Sequence, residues 1–160
     1  MFQVNPELIE KARPVFASWN RIYWVIGGAG AGKSTLCRAI AERTGVAVYD
    51  MDEHIYRAYI PRYAPQRHPA NTAWLSAENP LAWALDLSED EFNAFNRTTT
   101  AEYLDLLADD LSAWSATQAI LIDGGITHPS LIAQVLSARR IVCLTTTDEE
   151  RAHLWTAAED

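Results

Sequence analysis

The sequence predicts an α/β fold: a parallel sheet of at least four strands, flanked by helices and interrupted by an α-helical insert. Three observations carry that expectation. Four short apolar runs, 21–26 (RIYWVI), 46–49 (VAVY), 119–122 (AILI) and 141–144 (IVCL), do not alternate with polar residues, which is the pattern of strands buried on both faces. Segments of helical spacing lie between them, and that order favours parallel pairing through crossover connections. Residues 24–35, WVIGGAGAGKST, place four glycines in six positions between an apolar run and a helix-forming segment.

Taken in chain order, Asn5-Pro6 supplies a cap and a proline suited to a first helical turn, so 6–12 begins a short helix that Pro14 limits or kinks. The strand at 21–26 leads through the glycines into a helix from Gly32 to about Arg43, and the strand at 46–49 ends at Asp50. The stretch 53–117 is too long for a loop and carries its own helix signals, so it is expected to be a mostly helical insert. Pro61, Pro65, Pro69 and Pro80 make its first part irregular, whereas Ser88 and Glu91 have capping-box spacing. Phe92, Phe95, Leu104, Leu107, Leu111 and Trp114 then recur at helical spacing among Asp105, Asp109 and Asp110, a stripe read as core packing rather than a ligand-stacking surface. The strand at 119–122 ends at Asp123, Thr127-His128-Pro129 starts a helix through about Ala138, and the strand at 141–144 precedes a final helix capped by Thr147 and Glu150.

At 160 residues and 49% hydrophobic content the chain supports one substantial core. A net charge of −8 argues against coating nucleic acid, because polyanion binding needs a basic surface to displace counterions. No stretch of about 18 apolar residues and no basic-then-apolar start occurs, so neither a membrane span nor a signal peptide is expected. Cys37 and Cys143 form no CxxC or metal-ligand spacing, which fits a reducing cytoplasm.

Gly27, Gly28, Ala29, Gly30, Ala31, Gly32, Lys33 and Ser34 satisfy G-x-x-x-x-G-K-[ST], with Thr35 following. Glycines let successive backbone N–H groups turn inward as an anion nest, and the next helix aims its positive dipole end at the same place. Lys33 would reach the terminal phosphates and the Ser34 hydroxyl would ligate Mg²⁺. Asp50 and Asp52 follow the second strand, where carboxyl ends of parallel strands line the ligand crevice. If the strand pattern persists to residue 52, both carboxylates face one side. The run from Ala119 to Asp123 has the form of a Walker B strand, whose carboxylate supports the metal, and Gly124-Gly125 would let a substrate approach the backbone. Arg57, Arg62, Arg67 and Arg97 lie in the insert, and any could clamp an anionic acceptor, although each singly reads as a solvated surface residue; Arg57 is taken as the substrate candidate. His54, His68, His128 and His153 have no paired metal spacing, and Cys37 reads as a small core residue.

These residues resemble the small P-loop kinases that include shikimate, gluconate and adenylate kinases and the antibiotic phosphotransferases. The resemblance rests on Gly27-x-x-Gly30-x-Gly32-Lys33-Ser34-Thr35, on Asp50-x-Asp52 and on Asp123-Gly124-Gly125. It covers residues 21–52 and 119–158 and implies a three-layer sandwich, one nucleotide-binding domain over 1–160, and a substrate-binding insert at 53–117. It further implies ATP and Mg²⁺ as cofactors, metal organisation by Asp50 with Ser34 and Asp123, and acceptor-hydroxyl binding by Asp52. Family members continue past the helix after the fourth strand into an arginine-bearing lid, a fifth strand and an adenine-holding loop. The sequence ends at Asp160, and Arg151 is the arginine near that point. The expected function is an ATP-dependent kinase of a hydroxyl on a small metabolite. The alternatives are a nucleotide-binding regulatory module without turnover and a toxin-like or antibiotic phosphotransferase. An NKxD base-reading motif and an LSGGQ-like signature are both absent, which disfavours a GTPase switch and an ABC ATPase.

Overall fold

The computed structural model describes residues 1–125 and 128–150. Its element order is α1 (Pro6–Ser18), β1 (Ile22–Gly27), α2 (Lys33–Thr44), β2 (Ala47–Asp50), α3 (Met51–Glu53), α4 (Pro69–Ser76), α5 (Pro80–Leu85), α6 (Glu89–Ala113), β3 (Ile120–Asp123), α7 (Pro129–Ile132) and β4 (Ile141–Leu144). The four strands form one sheet in the order β2-β3-β1-β4, all parallel. Register aligns Val25 of β1 and Asp50 of β2 with Asp123 of β3.

Helix placement follows from that order. The chain moves one way across the sheet from β1 to β2 and the other way from β2 to β3 and from β3 to β4. Parallel crossovers keep a single hand, so reversing direction sends the connecting helices to opposite faces. Side-chain alternation agrees: Val25 and Leu121 pack with Cys37 of α2, whereas Trp24, Tyr49 and Ile122 pack with Phe16 of α1, Leu107 of α6 and Ile132 of α7.

Two boundaries differ from the sequence expectation. Helix α1 runs to Ser18 with Pro14 inside it. Proline removes one intrahelical hydrogen bond, but Leu8, Ile9, Ala12 and Phe16 are buried, and Phe16 stacks on Trp24 at 6.3 Å. The helix predicted through Ala138 instead ends at Ile132. The chain then turns through Val135 and Leu136, both buried, and enters β4 by a 3₁₀ turn over Ala138–Arg140, where the Arg140 guanidinium donates to the Trp19 carbonyl at 2.8 Å.

Helix α6 is continuous for 25 residues behind a complete Ser88/Glu91 capping box. Its Leu104, Leu107 and Leu111 enter the main core. Asp105, at the same level, is buried and ties three segments together: Lys11 of α1 at 2.9 Å, His68 before α4 at 2.9 Å, and Arg67. Glu102, also buried, accepts from the Ala70 and Asn71 amides at the start of α4. The Thr147/Glu150 capping box forms, while the rest of the predicted final helix, Arg151 included, lies outside the described residues, as does Thr127. No helix among the described residues is long and apolar enough to cross a membrane.

Candidate active site

Strand β1 has β3 on one side and β4 on the other, so the direction of chain travel reverses around it. Ligands of open parallel sheets bind outside the carboxyl ends of the strands at such a reversal. The glycine loop is placed there. Gly27 closes β1 at φ +146°, and a Cβ at that position would lie 2.2 Å from the Leu144 carbonyl oxygen, so β4 itself demands glycine. Gly32 is the left-handed N-cap of α2 and supplies no side-chain hydrogen bond. The first-turn amides of α2 have no partner within the helix and face the loop with the positive end of the helix dipole. The Lys33 ammonium folds back across the loop and donates to the Gly28 carbonyl at 2.8 Å.

Asp123 ends β3 on the α2 face, 6% exposed. Its Oδ1 is buried without a hydrogen-bond partner among the described residues, which is costly for a carboxylate unless a charge or donor completes the site. Asp50 is its register partner on β2. Cys37 faces the same carboxylate from α2. Burial first, and then the Asp123 charge, push its thiol up to about 11, so it stays protonated and serves packing, as expected from the sequence.

Among the described residues no group of three His, Cys, Asp or Glu has metal-ligand geometry. The orphaned Asp123 oxygen, with Asp50 in register and the Ser34 hydroxyl at the start of α2, fits a hard cation that draws most of its shell from phosphate and water, as Mg²⁺ does.

The strand does not persist to residue 52. The backbone turns helical at Met51, with Asp50 as N-cap: its Oδ1 accepts from the Glu53 amide at 3.0 Å. Asp50 and Asp52 therefore diverge, because one residue of strand and one of helix do not share a face. Asp50 keeps its place beside Asp123, while Asp52 swings towards Lys33. A Cβ at position 124 would lie 3.3 Å from the Lys33 Cε and 3.7 Å from the Asp52 Oδ2, so both side chains border the bare α-carbon of Gly124. Burial raises the Asp52 carboxyl above its ordinary range, and the Asp50 and Asp123 charges add to this against the pull of Lys33.

Gly124 is held in place from β1: its amide donates to the Val25 carbonyl at 2.9 Å, and its carbonyl accepts from the buried Trp24 indole at 3.0 Å. Trp24 was not singled out in the sequence. Its signal was a tryptophan in a central buried strand, where the indole N–H must find an acceptor. Gly125 has a structural reason for being glycine. A Cβ there would lie 2.3 Å from the Met51 Cβ.

The arginines separate. Arg62 pairs with Asp110 at 2.8 Å, and Arg67 pairs with Asp105 and Asp109, so neither is free to clamp an acceptor. Arg57 is exposed in the π-helical turn after α3 and makes no ion pair among the described residues. Arg97 is exposed on α6 near His128, whose pKa is lowered by burial and by that arginine.

Beside Asp52 and behind Gly125 opens a cavity of about 330 Å³ between the turn after α3, helices α4 and α5, and the first half of α6. A larger one, about 810 Å³, lies at the opposite, amino ends of the strands around Tyr23, Ile40 and Ala47. None of residues 27–35 lines it. No family model matches the chain, and no curated protein or solved structure shows a significant match to it.

Proposed function

We propose that the chain is a Mg·ATP-dependent kinase that transfers the terminal phosphate to a hydroxyl of a small molecule. The observation that carries the reading is that Lys33 and Asp52 both border the α-carbon of Gly124, directly beside a glycine loop that opens a helix. A phosphate cradle alone would suit any nucleotide binder. A carboxyl of raised pKa across from the phosphate lysine suits transfer, since it can take a proton from an attacking hydroxyl.

Phosphoryl transfer depends mainly on positioning and on stabilising charge. The loop amides and the α2 dipole would hold the phosphate chain, and Lys33 would leave the Gly28 carbonyl for the terminal phosphate oxygens. When bound, Mg²⁺ supplies charge neutralisation between phosphate oxygens; Ser34, Asp50 and Asp123 would hold it. The acceptor oxygen bonds to the terminal phosphorus as that phosphorus parts from the bridging oxygen. The hydroxyl proton passes to Asp52, and ADP leaves.

Calorimetry of Mg·ATP binding tests this. Charged hydrogen bonds contribute about 1.5–3 kcal/mol each, so Lys33→Ala is expected to weaken binding by about tenfold to a hundredfold. Unchanged affinity in that variant overturns the reading.

A further inference from the structure

The cavity behind Gly125 identifies the kind of acceptor. Five aromatic rings bound it, those of Tyr56, Trp74, Phe92, Phe95 and Tyr103. Tyr56 and Trp74 meet edge to face at 6.2 Å. Among the described residues no lysine, arginine, aspartate or glutamate lines it, and Arg62 and Arg67 of the insert are already consumed by Asp110, Asp105 and Asp109.

The threonines on α6 look polar in the sequence, but Thr99 and Thr100 turn their hydroxyls back to the Asn96 carbonyl at 3.1 and 2.7 Å. The cavity therefore receives mostly their methyl groups. The Asn96 side-chain amide, like the Tyr56 hydroxyl and the Trp74 indole N–H, has no hydrogen-bond partner among the described residues and is a free polar group of the lining. Ile55 and Tyr56, three and four residues on from Asp52, and Gly125, the neighbour of the Gly124 that Asp52 borders, form part of the wall. The cavity thus lies next to the carboxyl that would take the proton.

We infer that this cavity binds the acceptor, and that the acceptor is an uncharged alcohol carried on a planar aromatic body of one or two rings. Sugar acids and phosphorylated acceptors are disfavoured, because the described lining offers an apolar surface and no cation to pair with their charge. The volume lies at the lower end for small-ligand sites. Asn96 would hold a ring heteroatom or second polar group, while the rings sandwich the aromatic body and leave its hydroxyl at Asp52. This inference rests on the kinase reading for the fate of the hydroxyl, though not for the binding itself.

The test titrates indole-3-ethanol, 2-naphthylmethanol and shikimate against the full chain by isothermal titration calorimetry, without nucleotide, and measures a fluorescent ATP analogue separately. Both aromatic alcohols are expected to bind at least about tenfold more tightly than shikimate. Ala84→Trp, which fills the cavity from α5, is expected to abolish their binding, and Tyr56→Ala, which removes an exposed ring, to weaken it about fivefold to tenfold. Circular dichroism melting and nucleotide affinity confirm that each variant is folded. Preferred binding of shikimate, or alcohol binding unaffected by both variants, overturns the cavity inference. Normal nucleotide binding with no alcohol binding overturns the cavity inference and leaves the kinase reading standing. Alcohol binding with no nucleotide binding overturns the kinase reading, and with it the assignment of the cavity as an acceptor site.

Discussion

Burial first, and then neighbours on three different elements, set the character of Asp52. Asp50 ends β2, Asp123 ends β3 and Lys33 opens α2, and all act on its carboxyl. A positioned base contributes about 10² to 10⁴ in rate, so Asp52→Asn is expected to reduce phosphoryl transfer by that order with Mg·ATP affinity retained. A base works deprotonated, and this one titrates above the ordinary carboxylate range. The acid limb of kcat/KM is therefore expected to lie above that range, and Asp50→Asn, which removes a neighbouring negative charge, to move it to lower pH. The stability sign is the reverse of the usual carboxylate case. A raised folded pKa contributes stability that is complete below the unfolded value and is lost as pH rises through the folded one. Asp52→Asn consequently should not lower the melting temperature at neutral pH. Gly125 behaves differently: Gly125→Ala drives a methyl group towards Met51 in a left-handed backbone. It is expected to cost about 1–3 kcal/mol in chemical denaturation, a loss independent of any ligand.

Helices α1 and α6 form the layer on which the sheet rests, and their joint is partly ionic. Buried Asp105 receives Lys11 from α1, His68 from the segment before α4, and Arg67. Burial opposes its charge, yet hydrogen bonds from His68, Arg67 and Lys11 prevail and hold its carboxyl well below the usual range. The depressed folded pKa contributes stability above the unfolded value that is lost as pH falls through the folded one. Removing one member of a buried ionic cluster leaves the others uncompensated, and Asp105→Ala is expected to cost about 3 kcal/mol. Urea denaturation of the two proteins at pH 7 measures it. In the variant, stability should also vary less with pH in the acid range. The same cluster explains why α4 sits where it does, bounding the cavity, although nothing in its own sequence directs it there.

Across the molecule, the proposed phosphate side of the site is built on the sheet and α2, and the proposed acceptor side on α4, α5 and the first half of α6. Water must be excluded before phosphoryl transfer, so these two sides are expected to draw together when both substrates are bound. Hydrogen exchange over residues 55–90 should slow with a non-hydrolysable ATP analogue plus aromatic alcohol, and identical exchange with and without them removes the expectation. The sequence by itself determined the strands, the glycine loop and the helix after it, because buried parallel strands and phosphate cradles are written in contiguous residues. It also placed Asp123 at a strand end and Ser88 at a cap. The tertiary structure decided what depends on residues far apart in the chain. Proline 14 alone argues for a helix end, and packing of α1 on α6 overrides it. The Asp50-x-Asp52 spacing fits strand or helix, and capping of Glu53 by Asp50 settles it as helix. Phe95 and Leu104 look alike in one apolar stripe, yet Phe95 lines the cavity and Leu104 fills the core. Periodicity fixes which face of a helix is apolar, and only the partners packed against that face decide whether it is filled by protein or left open for a ligand.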